Sequence, residues 1–318
     1  MSVVTPRVAD FFVVGAPRCG TTALCRYLSK HPGICFSRPK ETHYFARLSS
    51  DWTPERLGPE YLERHFPHRL PEHRLLGEGS VSYLYAPQIL ERLIQLNPEA
   101  RMIVLLRNPL QMLPSHHLRM LYILAEDVED FTTAWSLQEA RMRGEHVPRT
   151  CPDARLLYYR DIASFGTHVE RLYRIRGRER SLVLLFDDFA VDPLRVYRQV
   201  LDFLGVDYDG RTDFASKLPS RRYRYRFLQR LLWSPPKPVR GMLERALLRA
   251  KQKKRPGRRS LLKRLARWNT IDASPAPLQP EFRARLVEEL RDDVRRLGTL
   301  LGRDLSHWLA EGRARAAG

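Results

Sequence analysis

Short apolar runs alternate with amphipathic stretches along the N-terminal part of the chain. The run Asp10–Gly15 predicts a buried strand, and the spacing of apolar residues over Thr22–Lys30 predicts the helix that follows it. Ile34–Phe36 and Leu75–Glu78 have the length and character of two further short strands, and Ala86–Leu96 is predicted to be helical. Strands and helices therefore follow one another in turn.

The same alternation continues through the middle of the chain. Arg101–Leu106 is the clearest interior strand, and Asn108-Pro109 ends it. The remaining predicted elements are helices over Leu110–Leu124, Phe131–Arg143 and Ala163–Arg174, a strand over Ser181–Phe186, and a helix after Pro193 that ends near Gly205. The expected fold class is α/β with three layers, in which helices cover both faces of a central parallel sheet. Ligands of such sheets bind at the carboxyl ends of the strands, where Gly15 and Arg107 fall.

The chain of 318 residues is long enough for one large α/β domain, and we expect a single domain over residues 1–318. Residues 1–9 are predicted to be a tail, and the basic, Pro-rich residues 234–260 an insertion or lid. Residues 279–309 are predicted to contain an amphipathic helix that packs back on the domain.

Several classes of protein are excluded at this stage. No apolar run approaches the roughly 18 residues of a membrane span, and no early run resembles a signal peptide. The expected location is therefore the cytoplasm. The four cysteines form neither a CxxC pair nor a zinc spacing, so we expect free thiols and no metal site.

The charge of the chain is concentrated in one stretch. Formal net charge is +19, and the residues between Lys217 and Trp268 include nineteen basic side chains and one acidic side chain, Glu244. Such a field attracts an acidic polymer or an anionic membrane surface, and the alternative is a solvated basic surface without a specific partner. Aromatic residues are not regularly interleaved with the bases, so specific nucleic-acid binding is not expected.

A glycine-containing turn, Gly15–Thr22, lies between the first predicted strand and helix. Backbone N–H groups at such a helix start approach anions closely, and hydroxyl groups add donors. The candidate binding residues are Arg18, Cys19, Gly20, Thr21 and Thr22. A nucleotide triphosphatase loop carries lysine where Thr21 stands, and no aspartate at a strand end is available to hold magnesium. The turn therefore predicts a P-loop-like site for a less highly charged anion such as a phosphosulfate.

The sequence FFVVGAPRCGTTAL closely resembles the 5′-phosphosulfate loop of sulfotransferases that use 3′-phosphoadenosine 5′-phosphosulfate (PAPS). It is most similar to the branch that includes the heparan sulfate sulfotransferases and many bacterial homologues. The resemblance implies PAPS as co-substrate and sulfuryl transfer as the activity. That family usually has lysine at the position of Arg18, where it contacts the bridging oxygen and stabilises the leaving group. Arginine keeps the charge but is planar and does not give up a proton.

Two further segments resemble the family's site for the 3′-phosphate of PAPS. In LLRNPLQMLPSHHLRM, Arg107 and Ser115 match the positions that bind this phosphate. A guanidinium at a strand end can bind phosphate with two hydrogen bonds, although such an arginine is also typical of a surface ion pair. Ser220, Arg221 and Arg222 match a basic loop that closes over the adenosine and the 3′-phosphate.

The segment Arg38–Phe45 resembles the family's Lys-Glu-x-His-Phe-Phe motif. Glu41 falls where the family has its general base, and His43 is the competing base. The structural alternative is that Glu41 caps a helix above a packed His43. Gly77–Tyr83 resembles the family's Glu-Lys-Ser/Thr-x-x-Tyr motif with Gly79 in place of lysine, and Glu78 is interpreted as structural or as orienting the acceptor.

The resemblance implies in-line transfer, in which the acceptor attacks sulfur, Glu41 takes its proton and Arg18 with the loop stabilises the departing phosphate. A glycan, a lipid, a small alcohol and a peptide tyrosine all remain open as acceptors. The pocket for the acceptor is expected on variable loops over Leu48–Arg69 and Glu126–Arg155. Two alternatives are a P-loop phosphotransferase that needs ATP and magnesium, and a non-enzymatic polyanion-binding protein.

Overall fold

The computed structural model describes residues 8–46, 54–214, 220–233 and 261–310. Contacts within the chain cluster into two units. Unit 1 contains the residues up to Met112, Ala163–Lys217 and the residues from Ala284 onward, and unit 2 contains Leu113–Ile162 and Leu218–Arg283. The prediction of one domain stays a prediction. Residues 234–260, predicted to be an insertion or lid, lie outside the described residues, as does most of the predicted N-terminal tail.

A five-stranded parallel sheet is the centre of unit 1. Its strands, all predicted from the apolar runs, are β1 (Phe11–Gly15), β2 (Ile34–Phe36), β3 (Leu75–Glu78), β4 (Arg101–Leu106) and β5 (Ser181–Leu185). Their order across the sheet is β2-β3-β1-β4-β5, and every neighbouring pair is parallel. The α/β class with a central parallel sheet is therefore confirmed.

The strand order places β1 between β3 and β4. After β1 the chain adds β2 and β3 on one side of it, and then adds β4 and β5 on the other. In open parallel sheets a crevice forms where the direction of winding changes in this way, outside the carboxyl ends of the two strands. Here those ends are Gly15 of β1 and Leu106 of β4, which precede the glycine-containing turn and Arg107.

Helices connect the strands and continue beyond them. They are α1 (Thr21–Leu28), α2 (Pro54–His65), α3 (Pro87–Leu96), α4 (Pro109–Tyr122), α5 (Phe131–Ser136), α6 (Gln138–Met142), α7 (Tyr159–Ala163), α8 (Phe165–Arg176), α9 (Phe186–Val191), α10 (Pro193–Leu204), α11 (Arg226–Trp233), α12 (Leu261–Trp268) and α13 (Pro280–Leu301). Short 3₁₀ turns occur at Tyr83–Tyr85, Ala154–Leu157 and Ser306–Trp308. Among the described residues, no helix is both long enough and apolar enough to span a bilayer.

The ends of α10 follow from its sequence. Asp192 accepts a hydrogen bond from Arg195 N as the N-cap, Pro193 occupies the first helical position, and Gly205 ends the helix in the left-handed region at φ 70°. An acidic cap, a proline at the start and a glycine at the end are the usual signals of helix boundaries. The predicted helix from Pro193 to about Gly205 is confirmed.

The C-terminal helix α13 docks on α8 within unit 1. Both carboxylate oxygens of Asp293 accept hydrogen bonds at the first turn of α8, from Gly166 N at 2.7 Å and Thr167 N at 2.9 Å. A Cβ atom on Gly166 would lie 2.4 Å from the carbonyl oxygen of Asp293, so the two helices approach through a glycine. The predicted amphipathic helix in residues 279–309 corresponds to α13, and its packing on a single domain stays a prediction.

Unit 2 has a buried polar centre. Glu126 accepts hydrogen bonds from both terminal nitrogens of Arg141, at 2.8 and 2.7 Å, and from the Tyr159 hydroxyl at 2.7 Å. Burial by itself would raise the pKa of Glu126, but these hydrogen bonds outweigh it and lower the pKa. Because both charges are buried, removing either partner would leave the other charge uncompensated, which is strongly destabilising.

Four segments differ from the prediction, two in the bounds of their helices and two in the type of structure. Phe131–Arg143 is two helices, because the Gln138 side chain donates to the Trp135 carbonyl at 2.8 Å and competes with the helical ladder. The helix predicted from Ala163 restarts at Phe165, since Ser164 has non-helical dihedral angles. The stretch expected to be a loop at Leu48–Arg69 contains α2, with Leu57 and Tyr61 buried one turn apart.

The fourth difference concerns the expected basic loop. Ser220–Tyr223 form a strand, β6, which pairs antiparallel with β7 (Thr270–Ala273). Residues 220–222 stand in register with residues 271–273. The hydrogen-bonded partner strand lies far along the sequence, which is why the local pattern gave no sign of it.

Candidate active site

The turn after β1 is built around Gly20. This residue is the N-cap of α1 with φ 91°, in the left-handed region, where glycine carries no steric penalty. A Cβ atom there would lie 2.9 Å from a ring carbon of Phe186, so the turn also needs glycine for space. Gly20 has no side chain to cap α1, and the first N–H groups of a helix without a cap are available to an anion.

The other predicted loop residues differ in exposure. Thr21 is buried, Thr22 is exposed and Arg18 is half-buried. Cys19 is fully buried, and its thiol donates to the Pro17 carbonyl at 3.3 Å. Burial raises the pKa of the Cys19 thiol to about 12, so it stays protonated and holds the turn together rather than acting as a nucleophile.

Arg107 lies beside this turn at the end of β4. Its backbone N–H interacts with the Cys19 thiol, its guanidinium carbon lies 4.8 Å from the centroid of the Phe186 ring, and its Nε donates to Gln111 at 3.2 Å. Burial lowers the pKa of Arg107, but an arginine does not lose its proton in a protein. The structure therefore brings a fixed positive charge to the turn, as predicted from the two strand ends.

Ser115 and Ser220 meet within unit 2. Their hydroxyl oxygens are 3.4 Å apart and Ser115 is buried, whereas Arg221 and Arg222, the next two residues of β6, are exposed. The sequence placed both serines in one binding site, and the contact between them agrees with that grouping. Their role toward a 3′-phosphate stays a prediction.

Lys40, Glu41 and His43 form a charged cluster near Thr21. The Lys40 ammonium donates to Glu41 Oε1 at 2.9 Å and lies 3.5 Å from the Thr21 hydroxyl. His43 Nε2 is 3.5 Å from the other Glu41 oxygen. Glu41 is not a helix cap, because no helix begins in residues 37–46. The two candidate bases predicted from the sequence are therefore in contact with each other.

These neighbours set the protonation state of Glu41. Burial by itself raises the pKa of its carboxyl, but the hydrogen bond from His43 and the charge of Lys40 outweigh burial and lower the pKa to about 2. Glu41 is consequently an anion at neutral pH. General bases usually have pKa values closer to the working pH, and sequence reasoning had anticipated a raised value or close placement. In the structure Glu41 is closely placed beside Lys40 and His43, but its pKa is lowered and not raised.

Two residues of the candidate site have strained backbones. Among the described residues, only four other than glycine have positive φ angles, and Arg18 at 61° and His43 at 48° are two of them. Residues with a side chain occupy this region at a cost, and such strain is concentrated at functional sites. His43 is held there by its backbone N–H, which donates to the Ser80 hydroxyl at 3.1 Å, while its Nδ1 lies 3.1 Å from the Ser82 hydroxyl.

A sequence model of the sulfotransferase domain matches residues 9–218. The chain belongs to the sulfotransferase family. This range includes the turn, the charged cluster and Arg107, and it confirms the resemblance seen in the sequence. Sulfuryl transfer is the activity for which this family is named.

Individual relatives are distant. A crystal structure of a sulfotransferase from Alicyclobacillus acidocaldarius superposes with a TM-score of 0.65 at 26% identity, over 96% of this chain and all of that one. Membrane-associated sulfotransferase kil1 of Dictyostelium discoideum is 34% identical over 104 residues, which are 32% of this chain and 21% of kil1. Bifunctional heparan sulfate N-deacetylase/N-sulfotransferase 4 of Mus musculus is 26% identical over 202 residues, 62% of this chain and 22% of that protein. The chain thus spans about a fifth of the length of these curated relatives.

Glu78 is a structural carboxylate. It is fully buried and accepts hydrogen bonds from four hydroxyl groups: Thr42 at 2.7 Å, Ser80 at 2.6 Å, Tyr83 at 2.9 Å and Tyr61 at 2.5 Å. The same Ser80 hydroxyl accepts from His43 N. Glu78 therefore holds the segment that carries Lys40, Glu41 and His43, and the structural reading made from the sequence agrees with these contacts.

The absence of a side chain at Gly79 leaves room for the side chain of Lys40. The Gly79 N–H donates to the Lys40 carbonyl at 3.0 Å, and a Cβ atom on Gly79 would lie 2.9 Å from Lys40 Cε and 2.9 Å from Cys25 Sγ. The family's lysine is missing at this position. The ammonium of Lys40 instead lies beside Thr21, so a positive charge is present near the turn although Gly79 cannot supply one.

Sequence reasoning missed Phe186 and Asp187, which follow β5. Phe186 contacts both Gly20 and Arg107. Asp187 accepts from the Trp308 indole N–H at 2.6 Å and lies 3.1 Å from His307 Nε2, which ties the C-terminal residues to the end of the sheet. Asp187 follows a buried strand, so the expectation that no aspartate stands at a strand end is wrong for β5, and this position was the signal that could have identified both residues.

The described residues contain no group of three or more His, Cys, Asp or Glu side chains that could hold a metal ion. Arg18, Lys40 and Arg107 bring positive charge to the turn. An anion bound there is met by donors and fixed cations of the protein itself.

Proposed function

We propose that this sulfotransferase transfers a sulfuryl group from PAPS to a hydroxyl or amine of its acceptor, with Glu41 as the general base. The observation that carries the proposal is the cluster beside the turn. One carboxylate lies within 2.9 Å of the Lys40 ammonium, which itself lies 3.5 Å from the Thr21 hydroxyl. A proton acceptor and an anion-binding cation therefore adjoin a helix start suited to a phosphosulfate.

The residues of the turn fit such a donor. The uncapped start of α1, the hydroxyls of Thr21 and Thr22 and the ammonium of Lys40 would hold the 5′-phosphosulfate, and Arg107 would bind the 3′-phosphate. PAPS supplies the sulfuryl group and leaves as 3′-phosphoadenosine 5′-phosphate (PAP). The lack of a Walker lysine at Thr21 supports a donor with less charge than a triphosphate.

The bonds and charges balance without a further reactant. The acceptor oxygen or nitrogen forms a bond to sulfur as the bond from sulfur to the bridging oxygen breaks. Glu41 takes the acceptor proton, and the electron pair of the broken bond stays on the phosphate of PAP. Arg18 and the N–H groups of the turn would stabilise the negative charge that develops there. Because arginine keeps its proton, Arg18 would assist by charge alone.

The pKa of Glu41, lowered to about 2, is part of this proposal. A carboxylate held by Lys40 and His43 is ionised and ready to accept a proton, but it is a weak base. A donor sulfonate near Thr21 would compete with Glu41 for the Lys40 ammonium. Weakening of that ion pair raises the pKa of Glu41, so binding of the donor would make Glu41 a stronger base.

The name of the murine relative, a heparan sulfate N-sulfotransferase, supports a glycan amine or hydroxyl as the acceptor class. The match to that relative covers 62% of this chain and 22% of the relative's own length. A lipid and a small alcohol are the other acceptors to be compared with a glycan.

The test is incubation with sulfur-labelled PAPS and a panel of de-sulfated heparan, lipid and alcohol acceptors. We expect label on one acceptor class, and calorimetric binding of PAP but not of ATP with magnesium. Hydrolysis of ATP, or retention of heparin without any transfer of label, would contradict the proposed donor and reaction.

A further inference from the structure

Helices α11 and α12 of unit 2, together with the antiparallel strand pair β6–β7, carry a surface of unusual composition. Large apolar side chains are exposed to solvent there, including Phe227 at 79%, Tyr225 at 54% and Trp268 at 50%. We call this surface the aromatic–arginine face, and its members are Arg224, Tyr225, Arg226, Phe227, Arg230, Arg264, Leu265, Arg267, Trp268 and Ile271. A group of exposed apolar residues on a soluble protein usually marks a binding surface.

The polarity of this region is inverted. Gln229 and Asn269, which are polar, are almost completely buried, whereas the aromatic side chains near them face solvent. The Asn269 amide donates to the Tyr225 carbonyl and to Gln229 Oε1, both at 3.2 Å, and Gln229 donates to the Tyr122 carbonyl at 2.8 Å. The buried polar residues thus link α11 to the end of α12 by hydrogen bonds, while the aromatic side chains of this region are exposed to solvent.

The exposed rings are also held in place. Tyr225 and Trp268 are stacked with centroids 5.5 Å apart at an interplanar angle of 22°, and the Arg224 guanidinium lies 5.1 Å from the Trp268 ring. The antiparallel pair β6–β7 also holds these residues in place. Tyr223 pairs with Thr270, and the Thr270 hydroxyl is 3.0 Å from the Tyr122 hydroxyl. These side chains form a preorganised surface rather than loose residues at a helix end.

Charge complements the apolar groups. Residues 220–233 and 261–273 contain eight basic residues and one acidic residue. The acidic residue, Asp272 of β7, pairs with Arg221 of β6. The arginines of the aromatic–arginine face are exposed. Helices with aromatic and apolar residues on one side and Arg or Lys at the borders lie in the interface of an anionic bilayer, with the rings at the headgroup level.

We propose that the aromatic–arginine face binds an anionic lipid membrane, with Phe227 and Trp268 entering the headgroup region and the arginines contacting lipid phosphates. A soluble acidic polymer would pair with the arginines but would leave Phe227 in water. A bilayer satisfies both features at once, and for this reason the observations favour it. The proposal does not depend on the donor or the acceptor of the sulfotransferase.

The test is co-sedimentation of the full chain with vesicles of phosphatidylcholine and phosphatidylserine, compared with vesicles of phosphatidylcholine alone. We expect binding to the first and not to the second. Replacing an inserted ring reduces binding because apolar burial is lost, so Phe227→Ser should weaken it about tenfold. Val191→Ser is the matched control, since Val191 is 82% exposed in unit 1 and lies outside the face.

A second pair of variants tests the charges. Each arginine beside an anionic surface contributes about fivefold to binding, so Arg226→Gln with Arg230→Gln should reduce binding roughly 20-fold or more. Arg143→Gln with Arg295→Gln removes the same charge at side chains that are 61% and 69% exposed elsewhere, and should bind as wild type. Thermal unfolding of each variant checks the fold.

Absence of binding to the anionic vesicles overturns the proposal, and so does wild-type binding by both the Phe227 and the paired arginine variants. Retention of heparin or RNA that is insensitive to Phe227→Ser, without vesicle binding, would assign the face to a soluble polyanion instead. Equal losses in the control pair would show that only net charge matters, which also contradicts a specific face.

Discussion

The Lys40 side chain occupies the space that a side chain on Gly79 would need. A Cβ atom at Gly79 would lie 2.9 Å from Lys40 Cε. The ammonium at the end of the Lys40 side chain lies between Glu41 and Thr21. Glycine at one position and lysine at the other are therefore one structural unit. Glycine at position 79 leaves the space that the Lys40 side chain occupies on its way to the turn.

This relationship predicts that the effects of two substitutions do not add. Lys40→Ala removes the ammonium and should lower kcat by about 10²–10³, as is typical for loss of a preorganised charged donor. Gly79→Ala should displace Lys40 and lower kcat as well. In the double variant the alanine at 79 no longer meets a lysine, so its activity should equal that of Lys40→Ala alone.

The cycle is measured from kcat and kcat/KM with PAPS, and losses that multiply in the double variant would contradict it. Cys25 is the other neighbour of the Gly79 position, with its Sγ also 2.9 Å away. Cys25→Ala in the Gly79→Ala background is the control. Recovery of activity there would attribute the effect of Gly79→Ala to Cys25 instead of Lys40.

Arg18 should contribute charge and not a proton. Arg18→Ala is expected to reduce kcat by about 10²–10³ because the charge that develops on the leaving phosphate loses its partner. Arg18→Lys should recover much of the rate, since the charge remains. Arg26, exposed in the last turn of α1, provides the matched control, and Arg26→Ala should turn over like wild type. Steady-state kinetics with saturating PAPS make the comparison, and undiminished turnover of Arg18→Ala would refute the assignment.

Glu78 should matter for stability. Replacing it by glutamine puts an amide N–H₂ against hydroxyl groups that donate to the carboxylate, and an unsatisfied buried group costs about 1–3 kcal/mol. Glu78→Gln should therefore lower the free energy of unfolding by that amount in urea titrations. Glu288, an exposed residue of α13, is the control, and Glu288→Gln should change stability by less than about 0.5 kcal/mol. An unfolding curve of Glu78→Gln that matches wild type would contradict the structural role.

The pKa of Glu41 predicts a dependence of stability on pH. It is lowered from 4.5 to about 2 in the folded chain, so the folded state favours the ionised form. The resulting stabilisation is fully present above pH 4.5 and is lost as the pH falls toward 2. The difference in urea midpoint between wild type and Glu41→Gln should therefore shrink over this range. A difference that stays constant from neutral to acidic pH would show that Lys40 and His43 do not hold the carboxyl ionised.

The strands and the turn could be predicted because their signals are local. Buried parallel strands appear as unbroken apolar runs, and Gly20 stands at a helix start where only a glycine fits. Helix α2 was missed because Pro59 and many polar residues obscure a buried stripe that consists of few side chains, including Leu57 and Tyr61. The break at Leu137 depends on a side-chain hydrogen bond of Gln138, which periodicity does not register.

The candidate site was predictable as a set of residues, but its arrangement was not. Glu41 and His43 were both named as bases, yet their mutual contact and the lowered pKa of Glu41 arise from three-dimensional neighbours. The relation of Lys40 to Gly79 joins segments separated in sequence, and no local pattern reports it. Roles that depend on bound PAPS, such as those of Ser115 and Arg222, stay predictions.

Glu41 is the residue proposed to accept the proton of the acceptor. The direct measurement is single-turnover transfer of label from PAPS by wild type, Glu41→Gln and His43→Gln, together with PAP affinity by calorimetry. We predict that Glu41→Gln slows transfer by about 10²–10⁴ with PAP affinity unchanged, because the base is lost and the fold is kept. We expect a smaller loss for His43→Gln. Transfer by Glu41→Gln at the wild-type rate, with His43→Gln inactive, would contradict the account.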